Sequence, residues 1–90
     1  MNQWHQIVMS GDDIAAGRHI RMRREFDDLL VSMGGGAKGV HLYLASTGGN
    51  DVYYLPPSAS VAWAAFAAKY GGGPCQEPDT GNLKPVVLRE

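Results

Sequence analysis

Residues 40–55 read VHLYLASTGGNDVYYL, and this stretch decides the fold. β-Branched and aromatic residues fill both halves of it, and a Gly-Gly pair separates the halves. This pattern predicts two antiparallel strands joined by a tight turn. Because a turn of two residues has even length, we expect Tyr43 to lie opposite Tyr54 and Leu44 to lie opposite Tyr53.

This register divides the hairpin between the two faces of a sheet. Cross-strand partners point to the same face, and successive residues point to opposite faces. One face is typical of a core and holds Val40, Leu42, Leu44, Tyr53 and Leu55. The other face mixes aromatic, small and imidazole side chains and holds His41, Tyr43, Ala45, Val52 and Tyr54. A turn of odd length would exchange the faces of residues 51–55.

A strand and a helix are predicted before the hairpin. Residues 4–9, WHQIVM, alternate as a strand does. Asp12 or Asp13 is suited to cap the helix that follows. The side of the strand expected on the second face of the hairpin holds Trp4, Gln6 and Val8.

The helix is predicted to begin at Ile14 or Arg18, because Gly17 weakens its first turn. It is predicted to end at Met33, before the three glycines at 34–36, which stop a helix readily. Apolar residues recur through it at helical spacing. The buried stripe is therefore expected to hold Met22, Phe26, Leu29, Leu30 and Met33.

A second helix is predicted over residues 59–70, with Ser58 as its cap. It is rich in alanine and apolar nearly all round, which indicates burial on more than one side. Residues 75–82 are typical of a loop, and residues 83–88 of a last strand, in which Pro85 favours an edge position. The aromatic stripe of the helix, expected in the core, holds Trp63, Phe66 and Tyr70.

The predicted order of elements is therefore β-α-β-β-α-β. This order is typical of an α+β, ferredoxin-like sandwich, in which two helices cover one face of a four-stranded antiparallel sheet. The first and third strands are expected at the centre of the sheet and the last strand at an edge. We expect one such domain over residues 1–90.

Composition narrows the classes of protein that the chain can represent. Eight Lys and Arg residues against nine Asp and Glu residues give a net charge of −1, so the chain as a whole does not attract polyanions. A single cysteine cannot form an internal disulfide, which indicates a reducing compartment. No apolar run approaches the roughly 20 residues of a membrane span, and no signal peptide is evident. These features predict a cytoplasmic protein that does not use a membrane.

One face of the predicted sheet is left without a helix to cover it. Its expected side chains are too apolar and aromatic for a surface that only meets water. We therefore expect a non-catalytic binding or interaction module that forms a homodimer by packing two such faces together. The alanine-rich helix is an alternative dimer contact. The candidate binding or interface residues are Trp4, Gln6, His41, Tyr43, Val52 and Tyr54.

An alternative function is a small dimeric enzyme or ligand-binding protein with a pocket at the dimer seam near His41. This imidazole is expected beside Tyr43 and Tyr54, where it would have hydrogen-bonding neighbours as a general acid or base. An ordinary interface histidine is the simpler interpretation, because the sequence names no second catalytic partner. No catalytic residue is therefore assigned.

A third function is the binding of single-stranded nucleic acid by sheet aromatics, on which bases can stack. Residues 38–44, KGVHLYL, begin with the basic-glycine pair of the RNA-recognition signature. The segment then departs from that signature, because Val40 and Leu42 stand where aromatic residues are needed. The net charge also opposes the binding of a polyanion, so nucleic acid is not expected as a partner.

No metal ion or cofactor is expected. The histidines His5, His19 and His41 fall on three different predicted elements, and Cys75 stands alone, so zinc-ligand spacing is absent. Residues 34–39, GGGAKG, resemble a phosphate-binding loop in composition. They precede a strand instead of a helix and lack the Ser or Thr of that loop, so they are interpreted as a helix stop.

Overall fold

The computed structural model describes residues 3–32, 42–57 and 60–86, which form a mixed α+β fold. The strands are β1 (Trp4–Met9), β2 (Leu42–Thr47), β3 (Asn50–Leu55), β4 (Gly73–Cys75) and β5 (Lys84–Val86). The helices are α1 (Gly11–Ala15), α2 (Arg18–Ser32) and α3 (Ser60–Lys69), and a 3-10 turn covers Thr80–Asn82. The predicted α+β class is confirmed.

The hairpin of β2 and β3 has the predicted register. Tyr43 pairs with Tyr54, and Leu44 pairs with Tyr53. The turn residues Gly48 and Gly49 have φ values of +60° and +83°, which glycine adopts without strain. Two successive positive φ angles form a type I′ turn, whose twist matches that of the strands it joins. The assignment of residues 51–55 to the two faces is therefore confirmed.

The sheet has five strands in the order β4-β1-β3-β2-β5, and every neighbouring pair is antiparallel. The prediction of four strands is wrong, because β4 forms along the outer side of β1. Its last residue, Cys75, was predicted to open a loop. β5 lies at the opposite edge of the sheet, so the edge position predicted for Pro85 is confirmed.

β4 forms because α3 ends in a tight turn that leads the chain back to β1. Gly71 has a φ of +77°, and the N–H of Gly72 donates to the carbonyl oxygen of Ala67 at 2.7 Å. A Cβ at position 72 would clash with the backbone oxygen of Gln6, so glycine is needed for this close approach. β4 has three residues and a proline at its centre, which is too little for an alternating pattern to reveal.

The described residues form three helices, so the prediction of two helices is wrong. The Ser10 hydroxyl accepts a hydrogen bond from the N–H of Asp13 at 3.2 Å, and the N–H of Ser10 donates to the Asp13 carboxylate at 3.1 Å. This capping box places the N-cap at Ser10, two or three residues earlier than the predicted cap at Asp12 or Asp13. Gly17 then has a φ of +77° and interrupts the helical path, so α2 begins at Arg18.

The core lies between the helices and one face of the sheet. Phe26 of α2 packs against Trp63 and Phe66 of α3, with ring centroids 4.8 Å and 5.4 Å apart. Burial confirms the aromatic stripe of the second predicted helix and, on the core face of the hairpin, Leu42, Tyr53 and Leu55, with Leu44 partly buried against them. The buried core comprises Ile7, Met9, Met22, Phe26, Leu42, Tyr53, Leu55, Trp63, Phe66, Ala67, Tyr70 and Val86.

Some predictions concern residues that lie outside the described ranges, and these stay predictions. They include the glycine stop after α2, one member of the core face of the hairpin, one candidate site residue and the cap of α3. The residues concerned are Met33, the glycines at 34–36, Val40, His41, Ser58, Ala59 and residues 87–88.

Candidate functional site

The face of the sheet opposite the core is the candidate site, which we call the open face. Its members follow from the alternation of side chains along the paired strands. Burial follows the same alternation on β1, where every second residue lies in the core. The open face is formed by Trp4, Gln6 and Val8 on β1, Tyr43 and Ala45 on β2, and Val52 and Tyr54 on β3.

Two aromatic rings bridge the open face. The ring centroids of Trp4 on β1 and Tyr43 on β2 lie 5.9 Å apart, with 52° between the ring planes. Because β3 lies between these two strands, both side chains reach over it, beside the pair that Tyr43 makes with Tyr54. A tilted aromatic pair contributes about 0.5–1.5 kcal/mol beyond its burial, so this contact holds both rings in place.

The open face retains considerable exposed apolar surface. Val8 is 47% exposed, and Trp4, Tyr43 and Tyr54 are half-buried. Among the described residues, the other large apolar side chain with comparable exposure is Ile20 of α2, at 51%. Ile20 stands apart from the sheet on a helix surface, whereas Val8 belongs to a row of apolar neighbours.

The open face carries no charge at any described strand position. Its polar groups are the Gln6 amide and the hydroxyls of two tyrosines, and the uncharged Thr47 and Asn50 adjoin it beside the turn. At the rims, Cys75 of β4 lies opposite Trp4, and Pro85 of β5 lies opposite Tyr43. The surface therefore offers apolar contact and neutral hydrogen bonds.

The structure places five of the six candidate residues on the open face, namely Trp4, Gln6, Tyr43, Val52 and Tyr54. His41 lies outside the described residues, so the pocket predicted around it stays a prediction. Sequence reasoning missed Cys75 as a neighbour of Trp4, because β4 itself was not foreseen. The thiol of Cys75 is free and half-buried, and burial raises its pKa, which disfavours the reactive thiolate.

The charged groups that the structure pairs lie on the helical side of the molecule. Lys69 of α3 donates to the Glu25 carboxylate of α2 at 2.5 Å and thereby lowers the pKa of that carboxyl group. The Tyr70 hydroxyl also hydrogen bonds to Glu25, and burial raises the pKa of Tyr70 to about 12. Arg18 lies over the same ring, 5.2 Å from its centroid, and pairs with Asp13 at 3.6 Å. This cluster fastens α2 to the end of α3.

His5 is the buried histidine of the described chain, and it lies on the core side of β1, opposite Leu55 and Pro74. Its Nδ1 has no hydrogen-bond partner among the described residues. A catalytic imidazole is held by a second group that fixes its tautomer and orientation. The surroundings of His5 are therefore those of a core residue and do not resemble a catalytic dyad.

An open groove of about 670 Å³ runs between α2 and α3. Its centre is apolar, and its rim carries a lysine, two acids and a serine. The size of the groove falls in the range of ligand sites, but it is open along its length and its lysine is already paired with Glu25. The lining residues are Glu25, Asp28, Leu29, Ser32, Ala62, Ala65, Phe66 and Lys69.

Among the described residues, no group of three or more His, Cys, Asp or Glu side chains could hold a metal ion. None of the helices described is both long enough and apolar enough to cross a membrane. No protein-family model matches the chain, and neither the curated proteins nor the solved structures include a match. The assignment of function therefore depends on the geometry of the chain itself.

Proposed function

We propose that this chain is a non-catalytic interaction module that associates with a second copy of itself through the open face. The observation that carries the proposal is the row of uncharged apolar side chains on this face. Within that row, Val8 of β1 pairs with Val52 of β3, and Val8 is 47% exposed. A monomer gains little by placing aromatic rings and valines in water on one contiguous surface. Two copies packed together would remove this surface from water in both.

The absence of charge supports a partner identical to the chain itself. In a symmetric dimer the same patch meets its own copy, so any charge near the two-fold axis faces a like charge. The described strand positions of the open face avoid this conflict entirely. A nucleic-acid partner would instead require Lys or Arg side chains on the face to meet phosphates.

The size of the open face indicates how tight such a dimer would be. Three strands of six residues and two of three residues, spaced by about 4.8 Å, present a face of roughly 400 Å². Two such faces supply about 800 Å² in projection, and side-chain relief adds to this area. This places the interface at the lower end of specific interfaces, so association is expected to reverse on dilution.

We also infer that α2, α3 and the strands β1 to β4 correspond to a ferredoxin-like unit. The neighbours β4-β1-β3-β2 follow one another in the sheet in the order that this unit has, and β5 is an additional strand beside β2. The inference explains why one sheet face is left for binding, since both long helices contribute to the core on the other side.

The test is the solution mass, measured by size exclusion with light scattering over a hundredfold dilution, for the wild type, Val8→Lys and Ile20→Lys. The two substitutions introduce the same charge at valine and isoleucine positions of similar exposure, 47% and 51%. We expect the wild type and Ile20→Lys to pass from dimer to monomer on dilution, whereas Val8→Lys stays monomeric throughout. A monomeric wild type, or equal loss of dimer in both variants, would contradict the proposal.

A further inference from the structure

The two edge strands of the sheet have the same unusual composition. β4 and β5 have three residues each, and the middle residue of each is an exposed proline. Pro74 lies opposite His5, and Pro85 lies opposite Tyr43. Because proline has no N–H, the direction in which its backbone nitrogen faces determines what the edge can bind.

The hairpin register fixes that direction at β5. Thr47 and Asn50 flank the two-residue turn and form its closing, hydrogen-bonded pair, after which bonded and non-bonded pairs alternate. Tyr43 is therefore in a bonded pair with Tyr54, and its backbone groups face β3. Pro85, opposite Tyr43 on the other side, is in a non-bonded pair, so its nitrogen faces away from the sheet.

The same alternation continues through β3 to the other edge. Since Tyr54 directs its backbone groups to β2, the next residue, Leu55, directs its own to β1, where it pairs with His5. The backbone groups of His5 therefore face β3. Pro74, which lies opposite His5 on the other side, is in a non-bonded pair, and its nitrogen also faces away from the sheet.

We propose that Pro74 and Pro85 close the edge strands β4 and β5 against the addition of another strand, so that assembly stops at two copies. A strand that adds to an edge needs outward N–H donors, and on each described edge strand the outward nitrogen belongs to proline. Once two copies pack together through their open faces, neither copy has an accessible open face for a third. The limit of two copies rests on the proposed self-association, whereas the closure of the edges does not.

The test restores an outward donor at each edge separately, with Pro74→Val and Pro85→Val, because valine is also a good strand former. Pro78→Val is the matched control, since Pro78 lies between β4 and the 3-10 turn. Masses are measured by light scattering over rising concentration, with circular dichroism to verify folding. We expect the wild type and the control to stop at the dimer, and the edge variants to form larger species. Wild-type assemblies beyond the dimer, or edge variants that behave as the wild type, would overturn the proposal.

A double variant that cannot associate through the open face tests edge closure independently of the proposed function. Val8→Lys is expected to remove association through the open face, so the double variant Val8→Lys/Pro85→Val can associate only through its edge. Concentration-dependent dimers of this double variant support edge closure even if the wild type proves monomeric. A monomeric double variant at every concentration would overturn edge closure even if the wild type dimerises through its open face.

Discussion

Trp4 and Tyr43 meet over the middle strand of the sheet, with their ring centroids 5.9 Å apart, although they lie 39 positions apart in sequence. Neither ring belongs to the core, which lies on the other side of the sheet. The contact joins β1 to β2 across β3 on the surface that we propose as the interface. Because Trp4 lies on this surface, its indole can report association through the open face.

The indole of Trp4 is expected to report self-association by its fluorescence. The chain has two tryptophans, of which Trp63 is fully buried in the core and Trp4 is half-buried on the open face. Dissociation would expose Trp4 to water, so we expect the emission maximum of the wild type to move to longer wavelength on dilution. Trp4→Phe retains an aromatic ring at the interface and should remove this shift. A shift that persists in Trp4→Phe would locate the change at Trp63 instead.

Gly72 is expected to be essential to the edge at β4. A Cβ at position 72 would clash with the backbone oxygen of Gln6 and come within 3.1 Å of the Ile7 side chain, so Gly72→Ala should force the chain away from β1. Overpacking of this kind costs about 1–3 kcal/mol. Gly73→Ala is the control, because a Cβ there meets nothing within 4 Å, and its effect should stay within about 0.5 kcal/mol. Urea unfolding of both variants measures the difference, and equal costs would contradict the packing described.

The hairpin and β4 differ in how far the sequence alone predicts them. The register of the hairpin could be predicted over its described residues, because a two-residue Gly-Gly turn and the period of two point to the same pairing, which fixes the open face. β4 could not be predicted, because it depends on the approach of Gly72 to Gln6, a contact between distant parts of the chain. A three-residue strand centred on Pro74 leaves no periodic pattern in the sequence. For the same reason Cys75 was missed as a neighbour of Trp4.

Tyr70 is expected to make stability fall with alkaline pH. Its pKa is raised from the ordinary 10.0 to about 12 in the folded chain, first by burial and then by its hydrogen bond to Glu25. Between these two values the unfolded chain has lost the phenolic proton while the folded chain keeps it, so the free energy of unfolding decreases as pH rises. The effect should be on the order of 2 kcal/mol.

The measurement is the urea midpoint of the wild type and Tyr70→Phe between pH 8 and pH 12. Phenylalanine loses the hydrogen bond to Glu25 and should be less stable near pH 8 by about 1 kcal/mol. Because it does not titrate, its disadvantage should shrink from pH 10 upward. A constant difference between the two proteins over this range would show that the Tyr70 hydroxyl titrates alike in the folded and unfolded chains.

The most direct test of the central claim is a dilution series of ¹H–¹⁵N correlation spectra, which reports association residue by residue. We expect concentration-dependent shifts at the Trp4 indole N–H, the Gln6 side-chain amide and the backbone amide of Val8. Signals from Ala62 and Ala65, which line the groove between α2 and α3, should stay fixed. Shifts confined to the groove, or spectra that do not change with concentration, would contradict the assignment of the open face as the binding surface.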